Sequence, residues 1–144
     1  MKKFLFFFIA ITLCFTLVAC NQKSGQTNNV SITMGASERF SNAEIEEAIN
    51  SVKKKFVDFK GCYLTQLWYD ETLSDSFIDE YMASGRGSTN GVKAENVIVL
   101  RSAFTVDSTG GDGSFNPNST YDDWNWILIR DSKDGSWNVD DWGY

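Results

Sequence analysis

The sequence predicts an α+β fold in which a long N-terminal helix packs on a curved antiparallel sheet. Three observations lead to this prediction. A capped segment with helical periodicity comes first, at residues 41–59. Segments rich in β-branched and aromatic residues follow it, at 62–69, 96–107, 122–131 and 136–142. A short glycine-containing turn joins the last two segments, which makes them neighbours in an antiparallel pair.

The predicted helix begins after Ser41, which forms an S-x-x-E capping box with Glu44. Its apolar residues recur at intervals of three and four and therefore form one face: Ile45, Ala48, Ile49, Val52, Phe56 and Phe59. Gly61 is a natural C-cap. The lysines at 53–55 and 60 suit the negative end of the helix dipole. We interpret them as a solvated helix end rather than as a binding patch.

The turn at residues 132–135 sets the register of the last two strands, because a four-residue loop pairs Leu128 with Val139. One face then carries Trp124, Trp126, Leu128, Trp137 and Val139. The other face carries Ile127, Ile129 and Trp142, so we expect it to touch a helix, a neighbouring segment or a ligand. A short second helix is predicted at residues 76–82.

The first twenty residues have the pattern of a bacterial lipoprotein signal. Two lysines precede an apolar run, Phe4 to Thr16, which is shorter than the about 20 residues needed to span a bilayer. The run leads to Leu17-Val18-Ala19-Cys20, which resembles the lipobox of bacterial lipoproteins. This resemblance implies that the signal is cut before Cys20, which then carries the lipid. An ordinary secretory signal with a chance cysteine and a retained N-terminal membrane helix are the alternatives.

These features divide the chain into three parts. Residues 1–19 form the lipoprotein signal peptide, residues 20–37 the lipidated N-terminus with a flexible tether, and residues 38–144 a single α+β domain. A tether is favoured over a short edge strand at 30–34, where the sequence alternates. We expect the domain on the extracytoplasmic side of the cell membrane, held there by a fatty acid such as palmitate.

Composition excludes several classes of function. Without Lys2 and Lys3 the mature chain keeps 11 of the 13 basic residues against 19 acidic ones. This charge argues against nucleic acid and against electrostatic binding to anionic lipid. The absence of histidine excludes Ser-His-Asp and Cys-His catalysis and the usual zinc sites. Cys62 has no disulfide partner, and we interpret it as a buried residue rather than a reactive thiol. We expect no cofactor.

Asp141 is the best single candidate for a general acid or base. A carboxylate partly buried beside aromatic rings has a raised pKa, and Asp141 could lie on the Trp126 face near Tyr63 or Tyr69. The alternative, which we favour, is that Asp141 caps a strand or pairs with an arginine, Arg130 or Arg101.

Two further groups of residues could bind a ligand. A cavity lined by aromatic rings would take apolar or ring-shaped molecules, and its candidates are Trp68, Trp124, Trp126 and Trp137. The simpler interpretation is that these rings fill the core. The glycine-rich loop at 108–120 contains and adjoins residues that could bind calcium. Those candidates are Asp107, Asp112, Asn116 and Asn118. The alternative, which we favour, is an ordinary polar loop.

By its order of elements the chain resembles the cystatin-like and nuclear-transport-factor-2-like rolls. The segments 124–129 and 136–144 also resemble a family of small bacterial lipoproteins of unknown function, over residues 41–144. The first resemblance implies a sheet wrapped on the long helix, and the second implies no activity. We expect a non-enzymatic binding module for an unknown ligand or cell-surface protein. A carboxylate-dependent lyase, isomerase or hydrolase and a calcium-stabilised module are the alternatives.

Replacement of Cys20 by serine should release the protein from the membrane, because the lipid is its expected anchor. Labelled fatty acid should be incorporated into the wild type and lost in Cys20→Ser. Cys62→Ser is the matched control and should keep the label. Retention of the label by Cys20→Ser would contradict the lipobox assignment.

Overall fold

The computed structural model describes residues 23–144, which form a mixed α+β fold around one curved five-stranded sheet. The strands are β1 (Ser31–Met34), β2 (Cys62–Tyr69), β3 (Val97–Val106), β4 (Thr120–Ile129) and β5 (Asn138–Gly143). The helices are α1 (Asn42–Phe56), α2 (Glu71–Ala83) and α3 (Gly87–Asn90), and a 3-10 turn (Ala94–Asn96) precedes β3. The predicted signal peptide and Cys20 lie outside the described residues.

The five strands are ordered as in the sequence, from β1 at one edge of the sheet to β5 at the other. Strand β1 is parallel to β2, and the remaining pairs are antiparallel. The chain crosses from β1 to β2 through α1, as a parallel pair requires. The sheet is therefore not wholly antiparallel. A strand, and not a long N-terminal helix, begins the described fold.

The segment predicted to be a tether takes part in the sheet. Gln26 forms a parallel bridge with Tyr63, and the Gly25 N–H donates to the Val57 carbonyl at 3.0 Å. A Cβ on Gly25 would lie 1.9 Å from the Phe56 carbonyl oxygen, so only glycine fits there. The edge of β2 needs partners for its backbone groups. Strand β1 supplies these partners, so the short edge strand, which was the alternative to a tether at residues 30–34, is the structure observed.

Helix α1 covers one face of the sheet. The predicted capping box forms, with Ser41 and Glu44 bonded in both directions. Its predicted apolar stripe is buried against the sheet: Ile45, Ala48, Ile49, Val52 and Phe56. Cys62 is fully buried in the same core, and burial raises the pKa of its thiol to about 11. The helix ends before the predicted cap, and Gly61 (φ 70°) turns the chain into β2.

Helix α2 covers the opposite face, so the sheet lies between two helical layers. Its N-cap is Asp70, whose side chain accepts from the Leu73 N–H. The helix is longer than the predicted segment 76–82. It packs on the side chains of β3 and β4 that point away from α1, in a cluster containing Ile78, Tyr81, Val97, Val99, Ile127 and Ile129. Within residues 23–144, no helix combines the length and hydrophobicity needed to cross a bilayer.

The register of β4 and β5 follows the prediction at first and then shifts. Leu128 pairs with Val139 as the turn predicted, but Ile127 pairs with Asp141 instead of Asp140. One extra residue on β5 therefore lies opposite the β4 pair, which is a β-bulge. The alternation of β5 side chains between the two faces of the sheet is therefore interrupted at the bulge.

Because of the bulge, Trp142 and Asp141 lie on the faces of the sheet opposite to those predicted. Trp142 pairs with Trp126 and lies on the α1 side, rather than on the face of Ile127. There the Lys55 ammonium group lies 4.8 Å from the centroid of the Trp142 ring. Asp141 pairs with Ile127 and lies on the α2 side, rather than on the Trp126 face. Both predictions were wrong for this one reason.

Arg130 ties the end of β4 to the start of α1. Its side chain is 5% exposed, and its Nη1 lies 2.8 Å from Glu44 Oε1. The guanidinium group lies over the Trp137 ring at 4.3 Å from the centroid, and Nε donates to Asn96 Oδ1 at 3.4 Å. The hydrogen bond from the Ser41 backbone, together with Arg130, lowers the pKa of Glu44 to about 2.

Replacement of Arg130 by methionine should lower the free energy of unfolding by about 2 kcal/mol. The substitution removes the hydrogen bonds of the guanidinium group to Glu44 and Asn96, while the partly exposed Glu44 carboxylate keeps its bonds to Ser41. Urea denaturation measures the change. Lys133→Met, in the exposed 132–135 turn, is the control and should shift stability by less than about 0.5 kcal/mol.

The same pair should make stability depend on pH. The folded-state pKa of Glu44, about 2, lies below its ordinary value of 4.5. Its contribution is therefore complete above pH 4.5 and is lost as the pH falls through 2. The stability difference between wild type and Glu44→Gln should shrink over this window. A difference that stays constant from neutral pH down to pH 2 would contradict the assignment.

Candidate functional site

A groove of about 320 Å³ lies between α2 and the strands β4 and β5. Its lining combines aromatic or apolar side chains with carboxylates and includes Phe77, Glu80, Tyr81, Ile127, Asp141 and Tyr144. We call it the α2–β5 groove. It lies on the sheet face that α1 does not cover, outside the main core.

The β-bulge brings two neighbouring aspartates to this side of the sheet. Asp140 Oδ2 accepts from the Tyr81 hydroxyl at 2.6 Å and lies 3.3 Å from Arg86 Nε. Its side chain is only 12% exposed. Asp141 lines the groove, and its Oδ1 accepts from the Trp142 N–H at 2.9 Å. Neighbouring residues of a regular strand point to opposite faces of the sheet, and the bulge interrupts this alternation at the Asp140–Asp141 pair.

Tyr81 is the centre of a polar network that joins α2, α3 and β5. It is 2% exposed, and its hydroxyl also accepts from Asn90 Nδ2 at 2.8 Å. Burial and the bond to Asp140 raise the pKa of Tyr81 far above its ordinary value. The phenol therefore keeps its proton and acts as a donor to Asp140.

Sequence reasoning missed this network. The sequence predicted a short helix at residues 76–82, which contains Tyr81, and gave no role to Tyr81, Asn90 or Asp140. The available signal was the tyrosine itself, because a buried phenol usually finds a hydrogen-bond partner. Its partner, Asp140, could not be named without the bulge.

Asp141 has different neighbours from those predicted. Arg130 pairs with Glu44, and the Arg101 guanidinium lies 3.3 Å from Asp123. The tyrosines that line the groove with Asp141 are Tyr81 and Tyr144, rather than Tyr63 or Tyr69. A carboxylate and phenol groups thus share one groove, but in a place that the sequence did not indicate.

The four tryptophans named as pocket candidates do not come together at one site. Trp126 and Trp137 are 0% and 2% exposed and belong to the core under α1. Trp126 Nε1 donates to Ser102 Oγ at 2.8 Å. Trp124 packs at the edge of that core, and Trp68 lies on β2 with the Arg101 guanidinium 5.9 Å from its ring centroid. Three of the four rings thus pack in or against the core.

The loop between β3 and β4 contains the four candidate calcium ligands, Asp107, Asp112, Asn116 and Asn118. Asp107 Oδ1 accepts from the Thr109 N–H at 2.8 Å, and Asp112 Oδ1 accepts from the Ser114 hydroxyl at 2.5 Å. Hydrogen bonds from the Thr109 hydroxyl and N–H lower the pKa of the Asp107 carboxyl group, and the bond from the Ser114 hydroxyl lowers the pKa of Asp112. Among residues 23–144, no three or more His, Cys, Asp or Glu side chains converge as a metal site.

The comparisons with known proteins give a family but no activity. No curated protein and no solved structure matches the chain. One family model matches residues 19–143, nearly the whole chain, and its description is a domain of unknown function, DUF4829. The chain therefore belongs to the DUF4829 family.

Proposed function

We propose that the protein is a membrane-anchored, extracytoplasmic lipoprotein whose domain is a non-enzymatic binding module. The α2–β5 groove is the proposed binding site. The observation that carries the proposal is the groove itself, in which a carboxylate, Asp141, lies beside apolar rings at the surface. The lipobox sequence ending at Cys20 supports the location.

The lining of the groove supports a ligand that combines positive charge with an apolar part. Glu80 and Asp141 provide negative charge, and Phe77 and Ile127 provide apolar surface. Tyr144 is 77% exposed at the same groove, and an exposed aromatic ring also attracts cations. A basic segment of a cell-surface protein has this chemistry.

We also propose that the fold is a variant of the cystatin-like roll. The packing of α1 on one face of the sheet supports this relation. In such a relation, β1 and α2 would be additions, one at the edge of the sheet and one on its second face.

A small carboxylate-dependent enzyme is the second candidate. Asp141 lines the groove, where its carboxylate could accept a proton from a bound substrate, and Tyr81 with its partner Asp140 lies at the same groove. Turnover of a substrate by the wild type, and its loss in a folded Asp141→Asn variant, would favour this function over simple binding.

The binding proposal is tested by titrating the full lipidated chain, in detergent, with short peptides that alternate lysine and phenylalanine. Asp141→Asn should weaken binding by about 10- to 100-fold, because a charge-assisted contact is worth about 1.5–3 kcal/mol. Asp134→Asn, in the exposed turn before β5, removes the same charge away from the groove and should leave affinity unchanged. Equal losses in both variants, or no binding by the wild type, would contradict the proposal.

A further inference from the structure

We infer that the end of the domain nearest the lipid anchor docks directly on an anionic membrane surface. This inference rests on the proposed lipidation of Cys20. The docking surface, here called the anchor end, consists of residues 23–26, 53–62 and 106–120.

The chain leaves little distance between the anchor and the domain. The Lys23 carbonyl accepts from the Gly61 N–H at 2.8 Å, and the Gln26 N–H donates to the Cys62 carbonyl at 2.9 Å. The domain is thus bonded together from Lys23 onward. Three residues from Cys20 to Lys23 span at most about 11 Å when fully extended. A lipid on Cys20 would therefore hold the anchor end close to the headgroups.

The strand directions determine which parts of the molecule meet the membrane. Strand β2 begins, β3 ends and β4 begins at the anchor end, so the 57–61 turn and the 107–119 loop lie together there. The 132–135 turn follows β4 at the opposite end. With ten residues in β4, that turn lies about 30 Å farther from the anchor.

Charge is distributed unevenly between the anchor end and the rest of the domain. The anchor end holds five of the eleven basic residues of the described chain: Lys23, Lys53, Lys54, Lys55 and Lys60. It holds three of the nineteen acidic residues: Asp58, Asp107 and Asp112. The net negative charge that argued against anionic lipid therefore belongs to the remainder, which has six basic and sixteen acidic residues.

The basic side chains at this end are suitably placed for headgroups. Lys23, Lys54 and Lys60 are exposed, and Lys53 is half-buried. Lys55 is engaged by Asp58 at 3.0 Å and by the Trp142 ring. A basic residue near an anionic membrane surface contributes about 1 kcal/mol, so these lysines can orient a domain that the lipid already holds.

Apolar side chains at the same end fit a membrane interface. Val57 is 47% exposed at the end of α1, and Tyr63 is 38% exposed at the start of β2. Tyrosine is enriched at the level of the headgroups, because its ring is apolar and its hydroxyl remains hydrated. A membrane, rather than a protein partner, is the occupant that the short connection to Cys20 brings to this surface.

The test uses the full lipidated chain with one environment-sensitive dye, attached at Val57→Cys or, for the opposite end, at Lys133→Cys. The native Cys62 is fully buried and its thiol has a pKa of about 11, so it reacts slowly. Proteins are reconstituted in phosphatidylcholine vesicles with or without phosphatidylglycerol. A nitroxide-labelled lipid reports the contact of the dye with the bilayer.

The dye at position 57 should be quenched in vesicles that contain phosphatidylglycerol, and the dye at 133 should not be. Lys53→Gln with Lys54→Gln, or added salt, should reduce quenching at position 57. Lys93→Gln with Lys133→Gln removes two charges outside the anchor end and should leave it unchanged. Co-sedimentation with equal, weak quenching at both positions would overturn the docking inference alone. Failure to co-sediment would overturn the proposed anchoring and this inference with it.

Discussion

The apolar face of α1 holds the helix on the sheet, and the ion pair between the buried Arg130 and the partly exposed Glu44 fixes where the helix begins. Arg130 follows the last residue of β4, and Glu44 lies in the first turn of α1, so the pair joins two elements that are distant in sequence. The planar guanidinium also stacks on Trp137 and reaches Asn96, which precedes β3. A lysine could not make this set of contacts, because its compact ammonium group has no planar surface to lie over the Trp137 ring. The pair fixes one end of α1 on the sheet.

With one end fixed, the direction of α1 places its C-terminal turn at the opposite end of the sheet. Residues 23–26 are bonded to that turn and to the start of β2. The lysines, the glycine-rich loop and the entry of the chain therefore share one end of the molecule. The α2–β5 groove lies on the side of the sheet that α1 leaves to α2. Proposed attachment and proposed binding thus use neighbouring surfaces, which meet where the Lys55 ammonium group lies over the Trp142 ring.

The sequence correctly predicted the features that depend on residues close together in the chain. The capping box, the apolar stripe of α1 and the pairing of Leu128 with Val139 were all confirmed, because neighbouring residues determine them. At residues 30–34 the sequence favoured a flexible tether over a strand. Strand β1 is stabilised by its pairing with β2, more than thirty residues away, which a local pattern does not reveal. The bulge at Asp140 was missed because alternation predicts a regular strand, and nothing in the residue pattern marks the extra residue.

The candidate site follows from that bulge and could not be predicted for the same reason. The sequence indicated Asp141 as a candidate acid or base, but the predicted face of the sheet and the predicted neighbouring residues were wrong. The bond between Tyr81 and Asp140 depends on the packing of α2 on the sheet, which the sequence left open among several possibilities. The burial of Trp126 and Trp137 is what the simpler interpretation of these aromatic residues predicted.

Hydrogen–deuterium exchange of the protein measures directly whether the folded domain includes residues 23–35. The amides of Gly25, Gln26 and Gly35 donate to the backbone of residues 57, 62 and 69. They should exchange slowly, at rates comparable to those of β2, because opening them requires separating residues 25–35 from β2 and from the end of α1. Rapid exchange throughout residues 24–35, with β2 still protected, would show that this segment is a flexible tether and not part of the sheet.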